Sequence, residues 1–129
     1  MRKILYSPGY GAGWSTWQYG LPQKFSCEYK PLIEAIEKCE NLYGSHEPTK
    51  YGGYPDPPLD DDKYAEWLSK MHPAVQSFVK EAREISGKDY VCILGLRDLT
   101  VYKVEDDDVV RIDEYDGSES VTVGYNDYF

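Results

Sequence analysis

The chain has little cysteine and no long apolar run, and these two absences exclude several classes of protein. Its three cysteines form no CxxC pair and are odd in number, so the sequence predicts neither a disulfide framework nor a zinc site. No apolar run approaches the roughly 20 residues of a membrane-spanning helix, and the N-terminus lacks the apolar segment of a signal peptide. We therefore expect a cytoplasmic protein with reduced thiols and no membrane association.

Basic residues are also scarce. The sequence holds 14 Lys and Arg against 23 Asp and Glu, a net charge of −9. Direct binding to nucleic acid is disfavoured, because contact with phosphates normally requires a basic surface. From residue 105 onward, nine acidic residues accompany a single basic residue, Arg111. The C-terminal quarter is therefore predicted to form an acidic surface.

Patterns that indicate catalysis are missing as well. Nucleophilic catalysis would need a Ser or Cys near a His, but His46 and His72 lie where the sequence predicts a loop and a helix boundary. Most carboxylates fall in exposed runs, where little would perturb their pKa. The sequence thus carries no catalytic, cofactor or metal-binding signature, and we favour a non-enzymatic protein.

What is present indicates one folded domain covering residues 1–129. The apolar share is 41%, and the chain contains 13 Tyr and 3 Trp, far more aromatic residues than disordered chains carry. The most apolar short stretch, from Asp89 to Gly95, predicts a central strand covered on both faces, with a buried helical turn as the alternative.

Three segments have the apolar periodicity of helices. The first begins near Pro31, ends at Gly44 and includes Cys39 in its buried stripe. The second is opened by Asp60, Asp61 and Asp62, which we interpret as helix caps in preference to a metal site. The third begins at Pro73 after a capping His72 and ends at Gly87, and its inner face is predicted to include Val75, Phe78, Val79, Ala82 and Ile85.

Strand patterns occupy the two ends of the chain. Residues 2–7 predict a first strand beside the central one, and residues 99–104, 109–115 and 118–123 predict three more. The last two are joined by Asp116-Gly117, a strong hairpin signal. We expect an α+β fold in which about three helices pack on one face of a mainly antiparallel, four- to five-stranded sheet. The residues predicted to face the helices are Val110, Ile112, Val121 and Val123.

A loop rich in glycine and tryptophan follows the first strand. Glycine-rich turns can present backbone N–H groups to a phosphate, and aromatic rings can stack on a base. Neither established phosphate-loop pattern is matched, so the alternative interpretation is an ordered loop whose tryptophans fill the edge of the core. The candidate ligand-binding residues are Gly9, Gly11, Gly13, Trp14, Ser15, Thr16 and Trp17, with Arg97, which could instead pair with Asp98.

A second long loop, from Ser45 to Leu59, contains four prolines. This composition resists both helix and strand. Loops of about 15 residues are uncommon in compact domains unless they are functional or disordered. Tyr51 and Tyr54 are therefore candidates for contact with a partner.

Three stretches together resemble small uncharacterised proteins encoded by bacteriophages. They are residues 3–14 (KILYSPGYGAGW), 89–95 (DYVCILG) and 111–120 (RIDEYDGSES). The resemblance implies a phage-type accessory protein acting inside a bacterial cell, and it assigns no activity to any residue.

The acidic C-terminal quarter provides the main functional hypothesis. Clustered carboxylates can dock on a basic surface, and neighbouring tyrosines can anchor the contact. We therefore predict a protein that binds and inhibits or redirects a host protein, with sequestration of a nucleotide-type molecule by the glycine and tryptophan loop as the alternative. The candidate partner-binding residues are Tyr102, Asp106, Asp107, Asp108, Asp113, Glu114, Tyr115, Asp116 and Glu119.

Overall fold

The computed structural model describes residues 1–9, 13–18, 20–50, 53–88 and 91–124. It confirms the α+β class. The helices are α1 (Gln23–Cys27), α2 (Lys30–Glu37), α3 (Asp61–Ser69) and α4 (Pro73–Ser86). The strands are β1 (Arg2–Tyr6), β2 (Thr100–Val104), β3 (Val109–Tyr115) and β4 (Ser118–Gly124), and short 3-10 helices cover Ser15–Trp17 and Leu94–Asp98.

The four strands form two separate antiparallel pairs. In the first, β1 pairs with β2 so that Ile4 lies opposite Tyr102. In the second, β3 and β4 form a hairpin with Ile112 opposite Val121. The prediction of a single four- to five-stranded sheet is therefore wrong, although the antiparallel pairing and the hairpin itself are confirmed.

The predicted central strand is not a strand over the part that the structure describes. Residues 91–93 are irregular and lead into the 3-10 helix at Leu94, while Asp89 and Tyr90 lie outside the described residues. The buried character was predicted correctly, since Val91, Cys92 and Ile93 are each no more than 5% exposed. The backbone groups of Cys92 are hydrogen-bonded by the Gln18 side chain and not by a neighbouring strand. The Gln18 amide nitrogen donates to the Cys92 carbonyl, and the Gln18 side-chain oxygen accepts from the Cys92 N–H at 3.2 Å.

Two helices begin at the predicted caps. The Asp60 carboxylate accepts from the Lys63 N–H at 3.0 Å, and the His72 ring accepts from the Ala74 N–H at 2.9 Å. Helix α2 ends at Glu37, earlier than predicted, and Cys39 adopts a positive φ of 57° on the surface. The prediction that Cys39 belongs to the core is therefore wrong. Ile85, which was predicted to lie on the inner face, is 49% exposed near the C-terminal end of α4, so that prediction is also wrong.

The core has two parts. The larger one packs α2, α3 and α4 against Trp14 and against Val91, Ile93, Leu96 and Leu99. The smaller one lies under the hairpin and contains Ile4, Cys27, Val104, Val110 and Ile112. The hairpin thus packs on the β1–β2 pair and α1, whereas we predicted that it would face the three long helices. Val123, near the end of β4, extends past this small core and is 45% exposed, contrary to the prediction.

Candidate functional site

The hairpin and the glycine and tryptophan loop meet in the structure. The Ser118 hydroxyl donates to the Pro8 carbonyl at 2.7 Å, and the Trp17 indole N–H donates to the Glu114 carboxylate at 2.7 Å. The Glu119 N–H also donates to the Ser7 carbonyl at 2.7 Å. The two regions that the sequence suggested as separate sites therefore share one contact zone, which we call the hairpin junction (Ser7, Thr16, Trp17, Glu114 and Glu119).

Glu119 lies at the centre of the hairpin junction and is only 2% exposed. One carboxylate oxygen accepts from the Ser7 N–H at 2.9 Å. The other accepts from the Thr16 N–H at 3.0 Å and from the Thr16 hydroxyl at 2.5 Å. Three converging donors compensate a buried negative charge. Glu119 is therefore part of the interior. The prediction that it belongs to an exposed, partner-binding acidic surface is wrong.

These bonds also bear on the ligand site predicted in the same loop. The N–H of Thr16, one of the candidate ligand-binding residues, is bound to a carboxylate of the protein itself. Trp14 is fully buried, its ring lies 4.8 Å from that of Phe78, and its indole N–H donates to the Ser26 carbonyl at 2.7 Å. Trp14 thus fills the core, as the alternative interpretation expected, and presents no face for stacking on a base.

The remaining candidates for that ligand site do not converge on it. A Cβ atom at Gly9 would clash with the Asp98 carboxylate, and one at Gly13 would clash with the Trp17 ring, so both glycines accommodate neighbouring side chains. Ser15 is 7% exposed, and Gly11 lies outside the described residues. Arg97 is 65% exposed and lies 3.5 Å from the carboxylate of Asp98, the ion pair that we gave as the alternative. A carboxylate beside Gly9 would repel a phosphate.

The acidic turn between β2 and β3 is partly neutralised by the N-terminus. The Asp106 carboxylate lies 2.6 Å from the Met1 ammonium group, and the Asp108 carboxylate accepts from the Glu105 N–H at 2.8 Å. The Arg2 guanidinium also donates to the Asp108 carbonyl at 2.5 Å. Asp107 is exposed and forms no hydrogen bond or ion pair with any residue that the structure describes.

Asp113, in the middle of β3, is also held by its neighbours. It accepts from the Thr122 hydroxyl at 2.5 Å and pairs with Arg111 at 2.9 Å. The Thr122 hydrogen bond, assisted by the Arg111 charge, lowers the pKa of Asp113 below its usual value. Asp113 therefore stays ionised at a lower pH than an ordinary Asp, and its negative charge is paired with the Arg111 guanidinium.

The end of the hairpin is an exposed part of the predicted acidic surface. We call Glu114, Tyr115 and Asp116 the hairpin tip. Tyr115 is 77% exposed, and the turn is formed by the positive φ angles of Asp116 (51°) and Gly117 (84°). Tyr102 is 42% exposed and packs edge-on against Tyr6, with ring centroids 6.3 Å apart.

The predicted acidic residues do not form one continuous patch. The hairpin tip and the 105–108 turn lie at opposite ends of β3. Seven extended residues span roughly 20 Å, since a strand rises about 3.3 Å per residue. The structure therefore divides the exposed acidic residues into two clusters, with the Arg111–Asp113 pair between them.

The cysteines differ sharply in their environments. Burial raises the pKa of Cys27 to about 12, against a smaller opposing effect of its hydrogen bond with Ser15. Cys92 is buried, and Cys39 is exposed. Since the thiolate is the reactive form, we expect iodoacetamide at pH 8 to label Cys39 quickly in the native protein and Cys27 and Cys92 only after denaturation.

Peptide mass spectrometry would assign the labelled positions, with Cys39→Ser as the control. Fast labelling of the Cys39→Ser variant to the same extent as the parent would contradict the assignment.

The described residues contain no group of three or more His, Cys, Asp or Glu side chains placed to hold a metal ion. Among the helices of these residues, none is long and apolar enough to cross a membrane. Comparison of the chain with protein-family models, curated proteins and solved structures found no match. The resemblance to bacteriophage proteins therefore stays a prediction.

Proposed function

We propose that the protein is a non-enzymatic, phage-type accessory protein that binds a basic host protein through the hairpin tip and thereby inhibits or redirects it. The observation that carries this proposal is Tyr115, an aromatic side chain that is 77% exposed between two carboxylates, Glu114 and Asp116. Exposed tyrosines are among the residues that most often dominate binding energy at protein interfaces.

The attachment of the tip supports this role. Glu119, four residues beyond Tyr115, is fixed by three hydrogen bonds, and Glu114 accepts from both the Trp17 indole and the Gly117 N–H, at 2.7 and 3.2 Å. A contact residue on a strand that is already ordered loses less conformational entropy when it binds. The tip is therefore suited to insert Tyr115 into a preformed pocket of a partner.

Charge gives the second part of the argument. Glu114 and Asp116 flank the aromatic anchor, and Asp107 lies exposed at the far end of β3. Carboxylates at the rim of an interface raise the association rate with a positively charged partner and exclude negatively charged ones. The Debye length at physiological salt is about 8 Å. The two clusters, roughly 20 Å apart, therefore act as separate charges, and only Glu114 and Asp116 lie beside the aromatic anchor.

Affinity capture from a bacterial lysate tests the proposal with three forms of the protein. The tip variant is Tyr115→Ala with Asp116→Asn, and the matched variant, Asp107→Asn with Tyr102→Ala, removes the same number of charges and aromatic rings elsewhere. Loss of an aromatic anchor typically costs about 2 kcal/mol or more, roughly 30-fold in affinity. We expect the parent and the matched variant to retain a basic protein that the tip variant loses.

Raising the salt concentration should release this protein from the parent, because charge steering and rim contacts are screened. Equal recovery of the partner by all three forms, or capture of no basic protein by the parent, would contradict the proposal. Thermal melting of each variant separates loss of binding from loss of folding.

A further inference from the structure

A cleft with a volume of about 730 Å³ lies between α3, α4, the segment 56–59 and residues 91–94. Among the described residues that line it, none belongs to β3 or β4, so it is distinct from the hairpin tip. Clefts of about 300–1,000 Å³ are the usual size of small-molecule sites.

The walls of the cleft are largely apolar and are fixed from behind. Tyr64 and Leu68 of α3 form one side, and Val91 and Ile93, each 4% exposed, form the floor. Residues 54–59, which we call the proline segment, are held by the Trp67 indole, which donates to the Pro55 carbonyl at 3.1 Å. The Tyr54 ring of this segment also stacks on that of Tyr43, with centroids 4.4 Å apart. The cleft is therefore present before any ligand arrives.

The charges on the cleft walls are unequal. The Arg83 guanidinium lies over the Tyr64 ring, 5.3 Å from its centroid, so the aromatic wall already interacts with this cation. Asp56 on the proline segment and Asp61 on α3 form no hydrogen bond or ion pair with any described residue, and both are exposed. Among the described residues of the lining, two carboxylates outnumber the one guanidinium, so these residues carry an excess of negative charge.

We propose that this cleft binds a small organic cation with a flat apolar body. The body would lie against Leu68 and Ile93, where it replaces water on apolar surface, and the positive group would face Asp56 and Asp61. An anionic ligand of the same shape would meet these two carboxylates and be disfavoured. The proposal concerns a site and a ligand class that are independent of partner binding at the hairpin tip.

Three indole compounds with comparable apolar bodies test both parts of the proposal: tryptamine, tryptophol and indole-3-propionate, which are cationic, neutral and anionic at pH 7. Calorimetry with the full chain should give the order of affinity tryptamine, then tryptophol, then indole-3-propionate. Chemical-shift changes in ¹⁵N-labelled protein should centre on Leu68, Val91 and Ile93. Each exposed ion pair contributes up to about 1 kcal/mol, roughly five-fold in affinity.

Variants distinguish the cleft from general attraction by an acidic protein. Asp56→Asn combined with Asp61→Asn should weaken tryptamine binding roughly ten-fold and leave tryptophol unchanged. Asp62→Asn, on the same helical turn but outside the lining, should change neither. Ala65→Trp, at an exposed position of the cleft wall, should block all three compounds without unfolding the protein. Failure of all three compounds to bind, preferred binding of the anion, or an equal loss in Asp62→Asn would overturn the proposal.

Discussion

Replacing Glu119 with alanine is expected to lower the free energy of unfolding by about 3–5 kcal/mol, because two backbone N–H groups and a hydroxyl would lose their shared acceptor in a buried site. The parent structure gives all three donors to one carboxylate that is 2% exposed. Urea denaturation followed by circular dichroism would measure the loss. It is large compared with the roughly 5–15 kcal/mol that stabilises a typical domain.

Two controls make this expectation specific. Glu114→Ala removes an exposed carboxylate from the same hairpin, together with its hydrogen bonds from the Trp17 indole and the Gly117 N–H, and should cost only about 1–2 kcal/mol. Formate, a small carboxylate, should raise the melting temperature of Glu119→Ala more than that of the parent, because it can occupy the vacated donors and stabilise the state that binds it. If Glu119→Ala and Glu114→Ala were equally stable, the buried carboxylate would not hold the junction together.

Trp14→Ala is expected to destabilise the protein by about 3–5 kcal/mol, the range found when a buried large aromatic residue is truncated. Trp14 is fully buried, contacts Phe78 and donates to the Ser26 carbonyl. The change removes packing and leaves a buried carbonyl without its partner. Thermal melting with a tryptophan fluorescence readout would follow the loss.

Trp17→Ala is the matched control, since this neighbouring tryptophan is only partly buried and its indole bonds to an exposed carboxylate. It should cost about 1 kcal/mol. Trp14→Phe keeps most of the ring but removes the indole donor, and we expect an intermediate loss. Equal stability of Trp14→Ala and Trp17→Ala would contradict the role of Trp14 as a core residue.

Much of the local structure was predictable because its determinants are local. The acidic cap at Asp60, the His72-Pro73 boundary and the Asp116-Gly117 turn each involve a few adjacent residues, and all three are confirmed. Strands β1 and β3 also begin at the predicted residues. Such signals depend on short-range sterics and hydrogen bonding, which the sequence expresses directly.

Sheet assembly was not predictable in the same way. The apolar run at residues 91–93 indicated burial correctly, but burial is compatible with any backbone conformation whose polar groups are satisfied. Here a glutamine side chain distant in sequence satisfies Cys92, so no neighbouring strand is required. Nothing near Gln18 in the sequence indicates this pairing.

The role of Glu119 could have been predicted from strand alternation. On β4, residues 119, 121 and 123 share one face, and Val121 and Val123 were predicted to point inward. The same parity places the Glu119 side chain inside, whereas the charge pattern alone assigned it to the surface. The identity of its donors, Ser7 and Thr16, depends on tertiary packing and has no local signal.

The pairing of β1 with β2 brings Arg2 opposite Val104, residues near opposite ends of the chain. Closing so large a loop carries an entropic cost that local contacts do not, and folding slows as contacts become more distant in sequence. During synthesis, the apolar face of β1 has no partner strand until β2 has left the ribosome. The β3–β4 hairpin, whose pairing is local, can form as soon as it emerges, and its Glu119 can then bond to Ser7, which directly follows β1.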